Sequence, residues 1–259
     1  KNVHTYNVVE GEEYDFRGAA AFFTSTAIVR LKGTLGGRRP DLQKQDGLDA
    51  IWAHHNTREA LFNAMERKEV YATSGTRIRL RFFAGYGYDE NMRSGDNSTE
   101  TAYAQGVPMG SSLGRNDEVE PGFVVSALRD SWSVRLERGQ IVKGWVEDGE
   151  VKELVYDVAC SGERSVDAAT RRCPALDASV DLTNCSIDQD QGAAVLKSVW
   201  HDPDYQADQR AFYYARVVET STCRWSTYDA LRLGQAPADD LPATITEMAW
   251  SSPIWLSAQ

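Results

Sequence analysis

Long apolar runs are missing from this chain. No stretch approaches the roughly 20 residues a membrane-spanning helix needs, so no membrane span is expected. The N-terminus carries no secretory-signal pattern, and it opens KNVHTYN without a methionine, which reads as a processed product or a fragment. Positive charge is also short: 28 Lys/Arg stand against 38 Asp/Glu, a net charge of −10. With no basic run and no basic patch interleaved with aromatics, the chain is not expected to bind nucleic acid. The G-x-S-x-G elbow, the Walker A loop and G-x-G-x-x-G are all absent; Gly85-Tyr86-Gly87 is a glycine turn with no helix pattern after it. There are only four histidines and four cysteines, and no C-x-x-C pair.

What is present describes a globular protein. A hydrophobic content of 42% over 259 residues is enough for one large domain or two smaller ones. Charge is uneven along the chain. Residues 1–81 carry 13 basic and 10 acidic side chains, whereas residues 82–259 carry 15 and 28. The shift falls just after the clearest local pattern, NTREALFNAMERKEVYATSGTRIRLR from Asn56 to Arg81. Asn56 and Glu59 have capping-box spacing, and Ala60, Leu61, Ala64 and Met65 fall on one helical face. Val70–Thr73 is a short β-prone run, broken by Ser74-Gly75. Ile78, Leu80 and Phe82 then alternate with Arg77, Arg79 and Arg81, which predicts a strand with one wet face.

Beyond Arg81, β-prone runs recur between turns: GFVVSAL from Gly122, GQIVKGWV from Gly139, KELVYDVA from Lys152 and AFYYARVVE from Ala211. Asp148-Gly149 between Val146 and Val151 is a hairpin signal. The spacing predicts an antiparallel β-sandwich. Cys160, Cys173 and Cys185 lie in or beside a polar insertion at 160–191, with Cys223 downstream. The spacings favour disulfides over zinc, hence an oxidising compartment, periplasmic or secreted; four cysteines allow three pairings, and the sequence does not choose.

Candidate ligands are few. His54-His55 precede the helix as adjacent residues, so only one of them can face a pocket. Asp202, Asp204 and Asp208 in HDPDYQADQ offer carboxylates for Ca²⁺, without the glycine and terminal glutamate of an EF-hand loop. Trp225, Trp250 and Trp255 in the C-terminal segment form either a sugar-stacking surface or part of the core.

Five stretches carry a resemblance: HNTREALFNAMERKEVYATSGTRIRLRFFAGY, QGVPMGSSL, QIVKGWVEDGE, QRAFYYARVVETSTCRWSTYDALRLG and LPATITEMAWSSPIW. Together they resemble the bacterial domain-of-unknown-function family three-six-zero-four, from about His55 to the end. The N-terminal part of that family is similar to the polymerase-and-histidinol-phosphatase (PHP) superfamily of metal-dependent phosphoesterases. The resemblance implies an α+β chain that is mainly β overall. Residues 1–75 would be the final elements of a PHP-like α/β barrel, and 76–259 a β-sandwich with a disulfide-stapled insertion. It also implies a divalent metal (Zn, Mn or Fe) in the parent enzyme, with His4 as a ligand and His54 and His55 as substitute ligands. Asn2 stands where that superfamily's late Asp-x-His motif has an Asp. The implied function is the C-terminal portion of an exported metal-dependent hydrolase of a phosphoester or related ester. Its partners would be the missing N-terminal PHP-like portion and a small-molecule ester substrate. The alternative is a non-catalytic β-sandwich module that binds a partner, a glycan or calcium.

Overall fold

A computed structural model describes residues 19–24, 47–93, 98–116, 118–188 and 190–257. In chain order the strands are β1 (Ala19–Thr24), β2 (Leu48–Ala53), β3 (Val70–Thr73), β4 (Arg79–Gly85), β5 (Gly106–Pro108) and β6 (Ser112–Gly114). They continue with β7 (Gly122–Leu128), β8 (Leu136–Glu147), β9 (Glu150–Cys160), β10 (Val180–Asp181), β11 (Ser186–Ile187) and β12 (Val195–His201). The last are β13 (Ala211–Glu219), β14 (Thr222–Cys223), β15 (Thr244–Ile245), β16 (Met248–Ser251) and β17 (Ile254–Ser257). Three helices, α1 (Arg58–Glu66), α2 (Ser98–Gln105) and α3 (Trp225–Arg232), and a 3₁₀ turn at Glu90–Arg93 complete the described elements. The chain is mainly β, in antiparallel sheets.

The larger sheet is built around β13, a run of alternating residues long enough to hold neighbours on both edges. One edge takes β8, with Tyr214 opposite Val142. The other edge takes β17 at Ala211–Tyr213 and β16 at Arg216–Val218. Strand β9 extends the sheet beyond β8, while β3, β2 and β1 follow β16 in that order. The second sheet runs β12-β7-β4-β5. Their inner faces share one core, in which Leu80, Phe82, Phe123, Val125 and Leu196 meet Ile141, Tyr213, Ala215 and Ile254. The Phe123 and Tyr213 rings, one from each sheet, lie 4.4 Å apart and tilted, which joins the layers as the period-2 pattern predicts. The Asp148-Gly149 turn is present, with both residues at positive φ (53° and 80°), as a two-residue hairpin requires.

Several expectations need correcting. In place of the last elements of an α/β barrel, β1 pairs antiparallel with β2, β2 with β3, and β3 with β16, so these strands extend the antiparallel sheet. The β3–β16 pairing joins residues on either side of position 75. The helix cap is Thr57, not Asn56: Thr57 is extended and its hydroxyl accepts from the Ala60 N–H at 3.3 Å. Replacing Thr57 with alanine is expected to cost about 0.5–1 kcal/mol in urea unfolding. Strand β4 also has no wet face at Arg81, which is 2% exposed. The outer face of β4 and β7 is covered by a cluster of Phe83, Tyr88, Met92, Ala102 and Val124. The Arg81 guanidinium lies 3.7 Å from the centre of the Trp52 ring and donates to the Tyr103 hydroxyl at 3.1 Å; Tyr103 in turn donates to Glu69. An indole face and an acid one hydroxyl away offset the cost of burying this cation.

The disulfides are Cys160–Cys173 and Cys185–Cys223. The first closes a loop within the insertion, and the second ties the β10–β11 ribbon to the segment before α3. Two disulfides fit a compartment outside the cytoplasm. No helix among the described residues is long and apolar enough to cross a membrane.

Candidate functional site

At one end of the sandwich, four chain segments meet. Strand β3 ends at Thr73, and the turn Ser74-Gly75-Thr76 leads towards β4; Gly75 has φ 152°, a value that favours glycine. Strand β13 ends at Glu219, β16 begins just after Glu247, and the β7–β8 loop passes through Asp130 and Ser133. The Glu219 N–H donates to the Glu247 carbonyl at 3.0 Å, which fixes the two glutamates side by side.

Each glutamate is buried behind a half-buried serine. Glu219 is 0% exposed, and Ser133 Oγ donates to its Oε2 at 2.7 Å. Glu247 is 6% exposed and accepts from Ser74 Oγ, which is itself oriented by the Met248 N–H at 2.9 Å. Glu219 Oε1 and Thr76 Oγ1 are both buried, and the Thr76 hydroxyl lies close enough to the carboxyl to help hold its pKa down. Burial pushes the Glu219 carboxyl up to about 7; the Ser133 hydrogen bond opposes this, and the nearby Asp130 and Glu247 charges add to it. Burial also raises Glu247, against the Ser74 hydrogen bond. Burial favours the protonated form of both acids, with serine hydroxyls as the groups nearest solvent.

The residues singled out from sequence lie elsewhere. His4 falls outside the described residues. His54 and His55 are exposed in the bend between β2 and α1. Asp202 is 1% exposed; its Oδ2 accepts from Lys143 Nζ at 2.7 Å and from Tyr213 Oη at 2.8 Å, and its Oδ1 from the Asp204 N–H at 2.9 Å. The Asp204 carboxylate accepts from Tyr156 Oη at 2.7 Å and from Arg171 at 2.5 and 3.1 Å. The Tyr156 hydrogen bond, with help from Arg171 and Lys143, holds Asp204 below the usual carboxylate range. Asp208 is exposed. Two of the three expected calcium ligands are thus already neutralised by Lys143 and Arg171. Among the described residues, no three His, Cys, Asp or Glu side chains come together to hold a metal ion. Trp225 and Trp250 are half-buried and Trp255 is 37% exposed, whereas Trp132, beside Ser133, is 91% exposed.

Sequence reasoning did not find Glu219, Glu247, Ser74 or Ser133. Single glutamates at strand ends carry no motif, and only the tertiary fold makes them a pair. A signal was nonetheless present: Ser74, Glu219 and Glu247 come from three of the stretches that carry the family resemblance. A family model described as a protein of unknown function, DUF3604, matches residues 2–258. No curated protein and no solved structure matches.

Proposed function

Because the chain belongs to the DUF3604 family of proteins of unknown function, we propose that it is the β-sandwich portion of a PHP-like hydrolase of phosphoesters or related esters, exported to the periplasm or secreted. The observation that supports this reading is Glu219: a buried carboxyl raised to about 7, linked through Ser133 to the surface and set beside a second buried acid. The described residues offer no ligand set for a divalent metal. The PHP-like N-terminal portion, with His4 as the candidate ligand in this chain, is where such an ion would be held.

The chain's own contribution is proton transfer. Protonated Glu219 gives its proton through Ser133 to the leaving oxygen as the bond to phosphorus or carbonyl carbon breaks. The attacking water forms the new bond and passes its proton through Ser74 to the Glu247 side chain, which acts as the base. Proton exchange with solvent then restores the pair. A raised and a less raised carboxyl side by side suit acid and base roles.

The test uses the full chain with Mn²⁺ or Zn²⁺ added, assayed against p-nitrophenyl phosphate, bis(p-nitrophenyl) phosphate and p-nitrophenyl acetate from pH 5 to 9. The expected result is turnover whose kcat/KM falls above about pH 7, with Glu219→Gln losing on the order of 100-fold and that pH limb. A folded protein inactive on all three, or a Glu219→Gln variant with an unchanged profile, would falsify the reading. Trp132 favours a second reading, a glycan-binding module, since a fully exposed indole is a stacking platform. In that case Trp132→Ala would abolish glycan binding and no ester would be hydrolysed.

A further inference from the structure

A second constellation lies outside the glutamate pair. The loop after β9 folds back over its own disulfide, and with β12 and the Glu90–Arg93 turn it borders a polar cleft of about 450 Å³. Arg93, Arg164 and Lys197 are its charged lining residues. All three are cations, in a chain of net charge −10, and no acid is among the described residues that line the cleft.

Arg164 is held rigidly. Its Nε donates to the Ser161 carbonyl at 3.0 Å, and its Nη2 to Ser161 Oγ and the Glu137 carbonyl, both at 2.8 Å. Its Nη1 donates to the Pro174 carbonyl at 2.6 Å. All four acceptors are neutral, so the guanidinium is fixed in place, and among the described residues no carboxylate pairs with it. Among the described residues Lys197 makes one hydrogen bond, a long one of 3.5 Å to Ser98 Oγ. Among the described residues Arg93 pairs with Glu90 in its own exposed turn. Like charges facing one cleft repel, and a stable fold keeps them there at a cost that an anion removes. The Cys160–Cys173 disulfide ties down the start of the loop that supplies Ser161, Gly162 and Arg164.

We propose that this cleft binds a tetrahedral dianion, the phosphate or sulfate group of a small molecule. Lys197 and Arg93 donate to its oxygens, and Arg164 supplies a fixed positive field from behind. The cleft's volume leaves room for an organic substituent on that group. The inference does not rest on the hydrolase reading; the glutamate pair shares no lining residue with the cleft.

Isothermal titration of the full chain at low ionic strength tests it, with inorganic phosphate, sulfate and phenyl phosphate as probes and acetate as the monovalent control. Phosphate and sulfate are expected to bind and acetate not. Lys197→Gln combined with Arg93→Gln should weaken binding about tenfold or more while the melting temperature stays unchanged, since both side chains sit at the surface. Phenyl phosphate binding more tightly than inorganic phosphate would point to an organic ester as occupant, and equal binding to the free anion; both support the site. Failure of phosphate and sulfate to bind, or equal affinity in the double variant, would overturn it.

Discussion

Lys143→Met is expected to destabilise the fold by about 3–5 kcal/mol, because it strands a buried carboxylate. The Lys143 and Asp202 side chains are 2% and 0% exposed, and their 2.7 Å contact is the only ion pair Asp202 makes among the described residues. Lys143 also donates to the Asp204 carbonyl at 2.8 Å. Without the ammonium, Asp202 keeps its bonds to Tyr213 and to the Asp204 N–H but loses its counter-charge in a low-dielectric core. Adding Asp202→Asn should recover most of the loss, since the amide still accepts from Tyr213 and carries no charge. Urea unfolding of the wild type, both single variants and the double variant closes the cycle. A loss under about 1 kcal/mol for Lys143→Met would mean that the pair is not the buried unit described here.

Glu219 makes the second large prediction, about pH rather than packing. Its folded-state pKa of about 7 lies above the ordinary 4.5, so between these values the native state holds a proton that the unfolded state has released. The unfolded state then binds fewer protons, and stability must fall as pH rises through that window. The contribution of this group is fully present below about pH 4.5 and is lost by about pH 7, on the order of 3 kcal/mol in all. Glu247 is raised as well and acts in the same direction. Asp204, whose pKa is lowered, acts oppositely: its contribution is present above 3.8 and is lost in more acid solution, so the two effects do not overlap. Glu219→Gln should therefore leave stability near pH 4.5 almost unchanged, raise it at pH 8 and flatten the profile between. Thermal melts at half-unit pH intervals would reveal this. An identical pH profile in the variant would show that Glu219 is ionised in the fold.

The stability prediction is separable from the catalytic one. If the melts change as expected and no ester is turned over, the acid is buried as described but does no chemistry. The charge cluster is then a feature of the strand ends alone.

Local pattern by itself determined much of this protein. The β-prone runs from Gly122, Gly139, Lys152 and Ala211 became β7, β8, β9 and β13, because β-branched and aromatic residues in short runs between turns suit a pleated surface packed on another. Asp148-Gly149 became the hairpin, because few other pairs accept positive φ at both positions. Cysteine spacing announced disulfides but not their pairing, since connectivity depends on which loops meet. Tertiary structure alone decided the rest. Arg81 reads as a solvent-facing charge within its strand, yet it and Lys143 are both buried, because a cation can enter a core only where an aromatic face or a carboxylate from a distant segment awaits it. The antiparallel pairing of β3 with β16 lies 175 residues or more away along the chain and leaves no mark on local periodicity. For the same reason the glutamate pair was invisible: Glu219 and Glu247 acquire their proton affinity from burial and from each other, and both arise only when the strand ends converge.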